Sequence, residues 1–274
     1  MNRILILSLI LLSAAGSPAA QKRVVPIVEM KVGALLGGVE NGKFLDAKTT
    51  AEKLADRQNY TLYMPGTKSE SLLLSKPTAS QEEVCEGFYG INDYAPDNRH
   101  EKGGVALGEG FGWKPQPRAV KQIALTNAAY VKIVNDFLRT KRISTAIKKL
   151  DQAFSVDLDG DGREEIVLTS TRVDRDFQPK PKRRTYDAYS VVLVRKIVGG
   201  KARTIVLEGE FSPKSDAFYD GYTHEISSFA DLDGDGKMEI LLHGEYYEGS
   251  HTSVVQLNGG KVVKVEVLSA SCGL

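Results

Sequence analysis

Residues 156–168 read VDLDGDGREEIVL, and residues 230–242 read ADLDGDGKMEILL. Each stretch sets aspartate at alternate positions of a glycine-rich bend and follows it at once with a short apolar run. Such a run, rich in β-branched residues and bounded by turn formers, marks a strand. The bend is therefore the connection of a β-hairpin, and the chain builds it twice.

The surroundings of the two bends repeat as well. Around the first lie DQAFSVDL, EEIVLTSTRV, YSVVLVRKI, the turn VGGKA and RTIVLEGEF; around the second lie HEISSFADL, MEILLHGEYY, HTSVVQL, the turn NGGKV and KVVKVEVLS. Each copy predicts a four-stranded antiparallel meander. Asp157 lies 42 residues before Gly199, and Asp231 lies 28 before Gly259, so the first copy carries an insertion of 42 − 28 = 14 residues. It falls within RVDRDFQPKPKRRTYD, whose prolines and charges predict a surface loop, either merely solvated or able to hold an anionic polymer. The expected fold is mainly β: two four-stranded repeats, 151–212 and 222–270, form a C-terminal part 151–274 after an α+β region 21–150.

Within that N-terminal region, VGALLGGVENGKFL and YTLYMPGTKSESLLLS each predict two strands around a tight turn. Thr126 or Asn127 can cap a helix over AAYVKIVNDFLRTK, with Ala129, Ile133, Val134 and Phe137 on one face. A second helix is expected over residues 47–57, and residues 89–112 read as irregular surface.

Oxygen ligands at alternate positions of a tight loop suit a hard divalent cation, since calcium takes six to eight oxygens. Counting from Asp157, positions 1, 3 and 5 are Asp157, Asp159 and Asp161; position 7 offers the carbonyl of Arg163, and position 9 is Glu165. The second loop supplies Asp231, Asp233, Asp235, the carbonyl of Lys237, and Glu239. Gly162 and Gly236, at position 6, permit the bend. An EF-hand would close with glutamate at position 12, where this chain has Leu168 and Leu242. The alternative is an Asp-Gly turn that only solubilises a hairpin, but carboxylates so crowded repel one another unless neutralised.

The loop, its position-9 acid and its flanking strands resemble the calcium-binding hairpins of FG-GAP and VCBS repeats, the blades of integrin-α-type β-propellers, over about residues 150–270. The resemblance implies propeller-like blades and one Ca2+ at each loop, two in all, held by the ten residues just named. The Phe-Gly and Gly-Ala-Pro marks of the family are not evident. A closed ring needs at least about four blades, so residues 24–150 would have to supply the others.

Arg3, the apolar run 4–12 and the small residues SAAGSPAA predict a secretory signal peptide over residues 1–20, giving a secreted or periplasmic protein. No later stretch is apolar enough to span a membrane. Formal charge is balanced, 36 basic against 35 acidic side chains, and this argues against a nucleic-acid partner. Cys85 and Cys272 are expected to pair in an oxidising compartment, the alternative being two buried thiols.

No nucleophile elbow, phosphate loop or Cys-x-x-Cys occurs. In HGEYYEGSH, His243 and Glu245 share a strand face, with Glu248 and His251 across a turn and His224 and Glu225 on the neighbouring strand. These residues read either as polar groups on an exposed hairpin face or as the centre of a secreted hydrolase braced by calcium. Asp93, Asp97, His100 and Trp113 could form a sugar-binding surface. The expected role is non-catalytic binding or scaffolding at the cell envelope, with a carbohydrate or envelope protein as partner.

Overall fold

A computed structural model describes residues 24–91, 103–173, 186–214 and 221–273. Residues 1–20, Asp93, Asp97, His100 and most of the insertion lie outside them. The first sheet contains β1 (Val25–Glu29), β2 (Ala34–Glu40), β3 (Lys43–Leu45), β4 (Arg57–Tyr63), β5 (Glu70–Ser75), β6 (Thr78–Ala79), β7 (Tyr89–Gly90) and β8 (Val105–Gly108). Its order is β5-β4-β8-β1-β2-β7-β6, with β3 on β2. Both predicted hairpins form, and Asn41 and Gly42 take the positive φ that the β2–β3 turn demands.

The first repeat comprises β10 (Gln152–Val156), β11 (Glu165–Arg172), β12 (Ala188–Val198) and β13 (Lys201–Ser212); β9 (Lys121–Gln122) adds a fifth strand beside β10. The second comprises β14 (Thr223–Ala230), β15 (Glu239–Tyr246), β16 (Gly249–Asn258) and β17 (Lys261–Gly273) in meander order.

Apolar residues on alternate faces explain how these sheets stack. On β15, Ile240 and Leu242 point into a cluster shared with Phe154, Val167, Val192 and Val194 of the first repeat. Leu241, on the opposite face, joins Ile27, Leu36, Val105 and Leu107 of the N-terminal sheet. The second repeat is therefore the middle layer, buried on both faces, and its apolar runs are nearly continuous for that reason. The outer face of the first repeat, with Leu168, Val191 and Leu193, is covered by helix α2 (Ala128–Thr140) through Val134 and Leu138. The outer face of the N-terminal sheet, with Val28, Leu35 and Ala106, meets helix α1 (Ala47–Lys53) through Ala47 and Ala51. Each fully buried aliphatic side chain contributes about 1.5–3 kcal/mol, so these shared faces hold the three sheets together.

Several expectations for the N-terminal region change. Residues 47–57 are helical only as far as Lys53; Leu54 is already extended and Arg57 begins β4. Residues 89–112 contain β8, a central strand between β4 and β1, rather than irregular surface alone. The α2 face is rotated: Val134 and Leu138 are buried whereas Ala129 is exposed, although Asn127 caps the helix by accepting from the Ala129 and Tyr130 amides. Cys85 and Cys272 are joined across 187 residues, fastening a 3-10 turn after β6 to β17. No helix among the described residues is long and apolar enough to cross a membrane.

A single carboxylate ties the chain between α2 and β10 to the first repeat. Asp187, 2% exposed, accepts from the Ser144 amide and hydroxyl, both at 2.7 Å, and from the Thr145 and Lys214 amides at 3.1 Å. Burial alone would raise its pKa, but these donors outweigh it and hold the carboxyl at about 2. The depressed pKa stabilises the fold above the unfolded value of about 3.9, and that contribution is lost as pH falls towards 2. Asp187→Ala should cost about 2–3 kcal/mol in urea unfolding at pH 7, and the difference from the parent should shrink on acidification below about pH 4. A pH-independent difference would contradict this account.

Candidate metal centre

The two aspartate bends are duplicates at the level of individual hydrogen bonds. Strand pairing places Val156 opposite Glu165 and Ala230 opposite Glu239, so each bend lies between the residue before position 1 and the residue at position 9. The position-1 carboxylate folds its own loop. Asp157 accepts from the amides of Gly160 and Gly162 at 2.8 and 3.2 Å, and Asp231 from those of Gly234 and Gly236 at 2.7 and 3.0 Å. All four glycines have φ between +74° and +84°, a region costly for residues with a Cβ. Position 9 closes the loop from the other side: Glu165 accepts from the Leu158 amide at 2.9 Å, and Glu239 from the Leu232 amide at 2.7 Å.

This scaffold brings positions 1, 3 and 9 together. Oxygens of Asp157, Asp159 and Glu165 lie within 4.8 Å of one another, as do those of Asp231, Asp233 and Glu239. Asp161 and Asp235 are outside these groups and instead accept from the amides of Arg163 and Lys237 at 2.8 and 2.7 Å. Buried Oδ1 of Asp159 has no hydrogen-bond partner. Among the described residues, Asp231, Asp233 and Glu239 have no ion pair with lysine or arginine. Hard oxygen donors gathered in this way could hold a metal ion.

Electrostatics sharpen the point at Glu239, whose residue is fully buried. Burial is the main cause that pushes its pKa up to about 8, helped by Asp233 and Asp231 and opposed by the Leu232 amide and Gln256. Asp231 is also raised, chiefly by burial.

Other side chains near the bends carried no signal in the loop motif itself. Arg118 donates through Nε to the Asp157 carbonyl and at 3.0 Å to that of Leu158. The Trp113 indole donates to the Asp231 carbonyl at 2.9 Å and packs on Gly234, so it serves the second loop. Lys196 and Gln256, both on third strands of their repeats, reach Glu165 and Glu239 respectively.

The 243–251 region is not an exposed polar face. His243 is 1% exposed, with Nδ1 3.2 Å from Thr252 Oγ1 and 3.7 Å from buried Glu29, and Nε2 3.5 Å from Glu245. Lys31 pairs with Glu225 and Glu245 at 2.8 and 2.9 Å, and the Glu29 carboxylate accepts from Ser227 at 3.0 Å. This network binds the N-terminal sheet to the second repeat. His243 holds Glu245 at about 2, with Lys31 assisting, whereas burial raises Glu29. The pairings His243 with Thr252 and Gly244 with His251 put the two histidines on opposite faces of the sheet. His251 instead meets His224 and Tyr222, and Glu248 is exposed. Burial, with His251 beside it, holds His224 at about 4.

Glu239 yields a prediction for protein stripped of divalent ions. A carboxyl raised in the fold is protonated there while the unfolded chain is ionised, so stability falls as pH rises from about 4.5 to 8 and the loss is complete above that. Urea unfolding in chelator should show such a decline, on the order of a few kcal/mol, and Glu239→Gln should remove most of it. A decline unchanged by the substitution would refute the assignment. Searches against family models, curated proteins and solved structures found no match for this chain.

Proposed function

We propose that this chain is an exported, calcium-braced β protein that works by binding or scaffolding at the cell envelope, with a carbohydrate or a protein as its ligand. The observation that carries this reading is the convergence of three carboxylates at two hairpin bends built on the same plan. When bound, the ion neutralises carboxylates that would otherwise repel one another and locks the bend between two strands. The protein's own part is to aim the oxygens: position 1 is fixed by two glycine amides and position 9 by the amide at position 2. Reading the sheets as successive propeller-like blades belongs to the same proposal, supported by their face-to-face packing.

Support for a ligand-binding role comes from the other end of the strands. An open cleft of about 680 Å³ lies between the repeats there, lined by Gln152, Thr171, Arg172, His224 and Glu225 among others. Amide, hydroxyl and charged groups around a shallow depression suit the hydroxyls of a sugar or a polar protein segment. The 243–251 region borders a second open pocket of about 400 Å³ at Glu245, Tyr246, Tyr247 and Ser250, but His243, the group a hydrolase centred there would use, is 1% exposed.

Melting curves test the calcium part. An extracellular-type site of about 0.1 mM affinity adds about 1.4 kcal/mol at roughly 1 mM calcium, a few degrees in a chain of this size. Calcium should raise the melting temperature relative to excess chelator, magnesium should do so less, and Asp233→Ala should remove the share of the shift that the second bend supplies. Superimposable curves for the parent protein in calcium and chelator would end the reading.

A further inference from the structure

The two bends share their backbone plan but not their neighbours. Extending the β11–β12 register by one step, from Ile166 opposite Arg195, sets Glu165 opposite Lys196. The same step in the second repeat, from Ile240 opposite Val255, sets Glu239 opposite Gln256. Lys196 and Gln256 therefore occupy equivalent positions, each aimed at the position-9 glutamate of its own bend.

Their chemistry differs by one charge. The Lys196 ammonium, its side chain 6% exposed, sits 2.7 Å from Asp159 and 2.7 Å from Glu165. It bridges two of the three carboxylates that would ligate an ion. Gln256 makes one neutral hydrogen bond to Glu239, at 2.9 Å. The position-1 carbonyls repeat the contrast: the Arg118 guanidinium donates to that of Asp157, and the neutral Trp113 indole to that of Asp231. The first bend is thus served by two cationic side chains and the second, at the same places, by two neutral donors.

We propose that the Lys196 ammonium is the resident cation of the first bend, and that the chain takes one divalent ion, at Asp231, Asp233 and Glu239, rather than two. This rests on the calcium reading above. A divalent ion entering the first bend would meet a buried positive charge on its own ligands, and the strand holding Lys196 is packed on both faces. A side chain enclosed in this way has no free path to withdraw, and its carboxylate partners favour the charged form. At the second bend the Asp231, Asp233 and Glu239 carboxylates are met at the equivalent places by neutral donors, and the one lysine of that bend, Lys237, keeps its side chain 45% exposed and pairs with Asp235, outside the three. The first bend is then a permanent brace and the second a calcium-dependent one.

Calcium titration calorimetry on the mature chain, with native circular dichroism required of every variant, separates the possibilities. The parent should bind one ion. Gln256→Lys should abolish binding by placing an ammonium in the second bend, and Lys196→Gln should raise the stoichiometry to two. Two ions per parent chain, or one ion still bound by a folded Gln256→Lys variant, would overturn the inference while leaving the calcium reading intact. No binding by the parent would remove both. Should Lys196→Gln fail to fold, the parent stoichiometry and the Gln256→Lys result decide the matter alone.

Discussion

The structure depends on placing a glutamate where strand pairing resumes after each aspartate bend, and on burying it. Glu165 is 2% and Glu239 0% exposed. A carboxylate removed from water is tolerated only when hydrogen-bonded and neutralised. The amides of Leu158 and Leu232 satisfy the hydrogen-bonding part in both bends. The charge is met in the first by the buried ammonium of Lys196, while in the second the lysine of the bend, Lys237, has a half-exposed side chain and pairs with Asp235 rather than with Glu239. Because the bends lie where the two repeats meet, with the Met238 amide donating to the Leu158 carbonyl at 2.8 Å, their electrostatics bear on the packing of the whole C-terminal part.

The three sheets are held by the same logic applied to apolar groups. With each sheet covered on both faces, polar residues that enter these interfaces have to be paired within them. Glu29, His243, Glu245, Lys31, Glu225 and Ser227 form one such network between the N-terminal sheet and the second repeat. Gln152 is a smaller example, exchanging two hydrogen bonds with the backbone of Ile226 across the two repeats. Removing one member of such a network leaves another buried and unpaired, at a greater cost than deleting an exposed salt bridge.

Much of this was legible in the sequence because it is local. The alternation of aspartate and glycine, the period-two apolar runs and the glycine turns specify the two meanders, and the cap at Asn127 specifies the start of α2. What could not be read depends on partners distant along the chain. The apolar core of β8 is three residues between glycines, too short to signal a central strand before β1 and β4 are known to flank it. His243 looked like a surface group because nothing near it in sequence announces Glu29 or the sheet that covers it. Lys196 is an intermediate case. Aligning the two copies on their Gly199-Gly200 and Gly259-Gly260 turns sets it against Gln256, but its charge gains meaning only when strand pairing brings it to Glu165.

The most direct test of the central claim is an anomalous difference map from crystals grown in excess calcium and measured at long wavelength. The account predicts a peak bridging Asp231, Asp233 and Glu239, and none between Asp159 and Glu165 beside Lys196. Comparable peaks at both bends would contradict the division between them, and an empty second bend would contradict the need for an ion altogether.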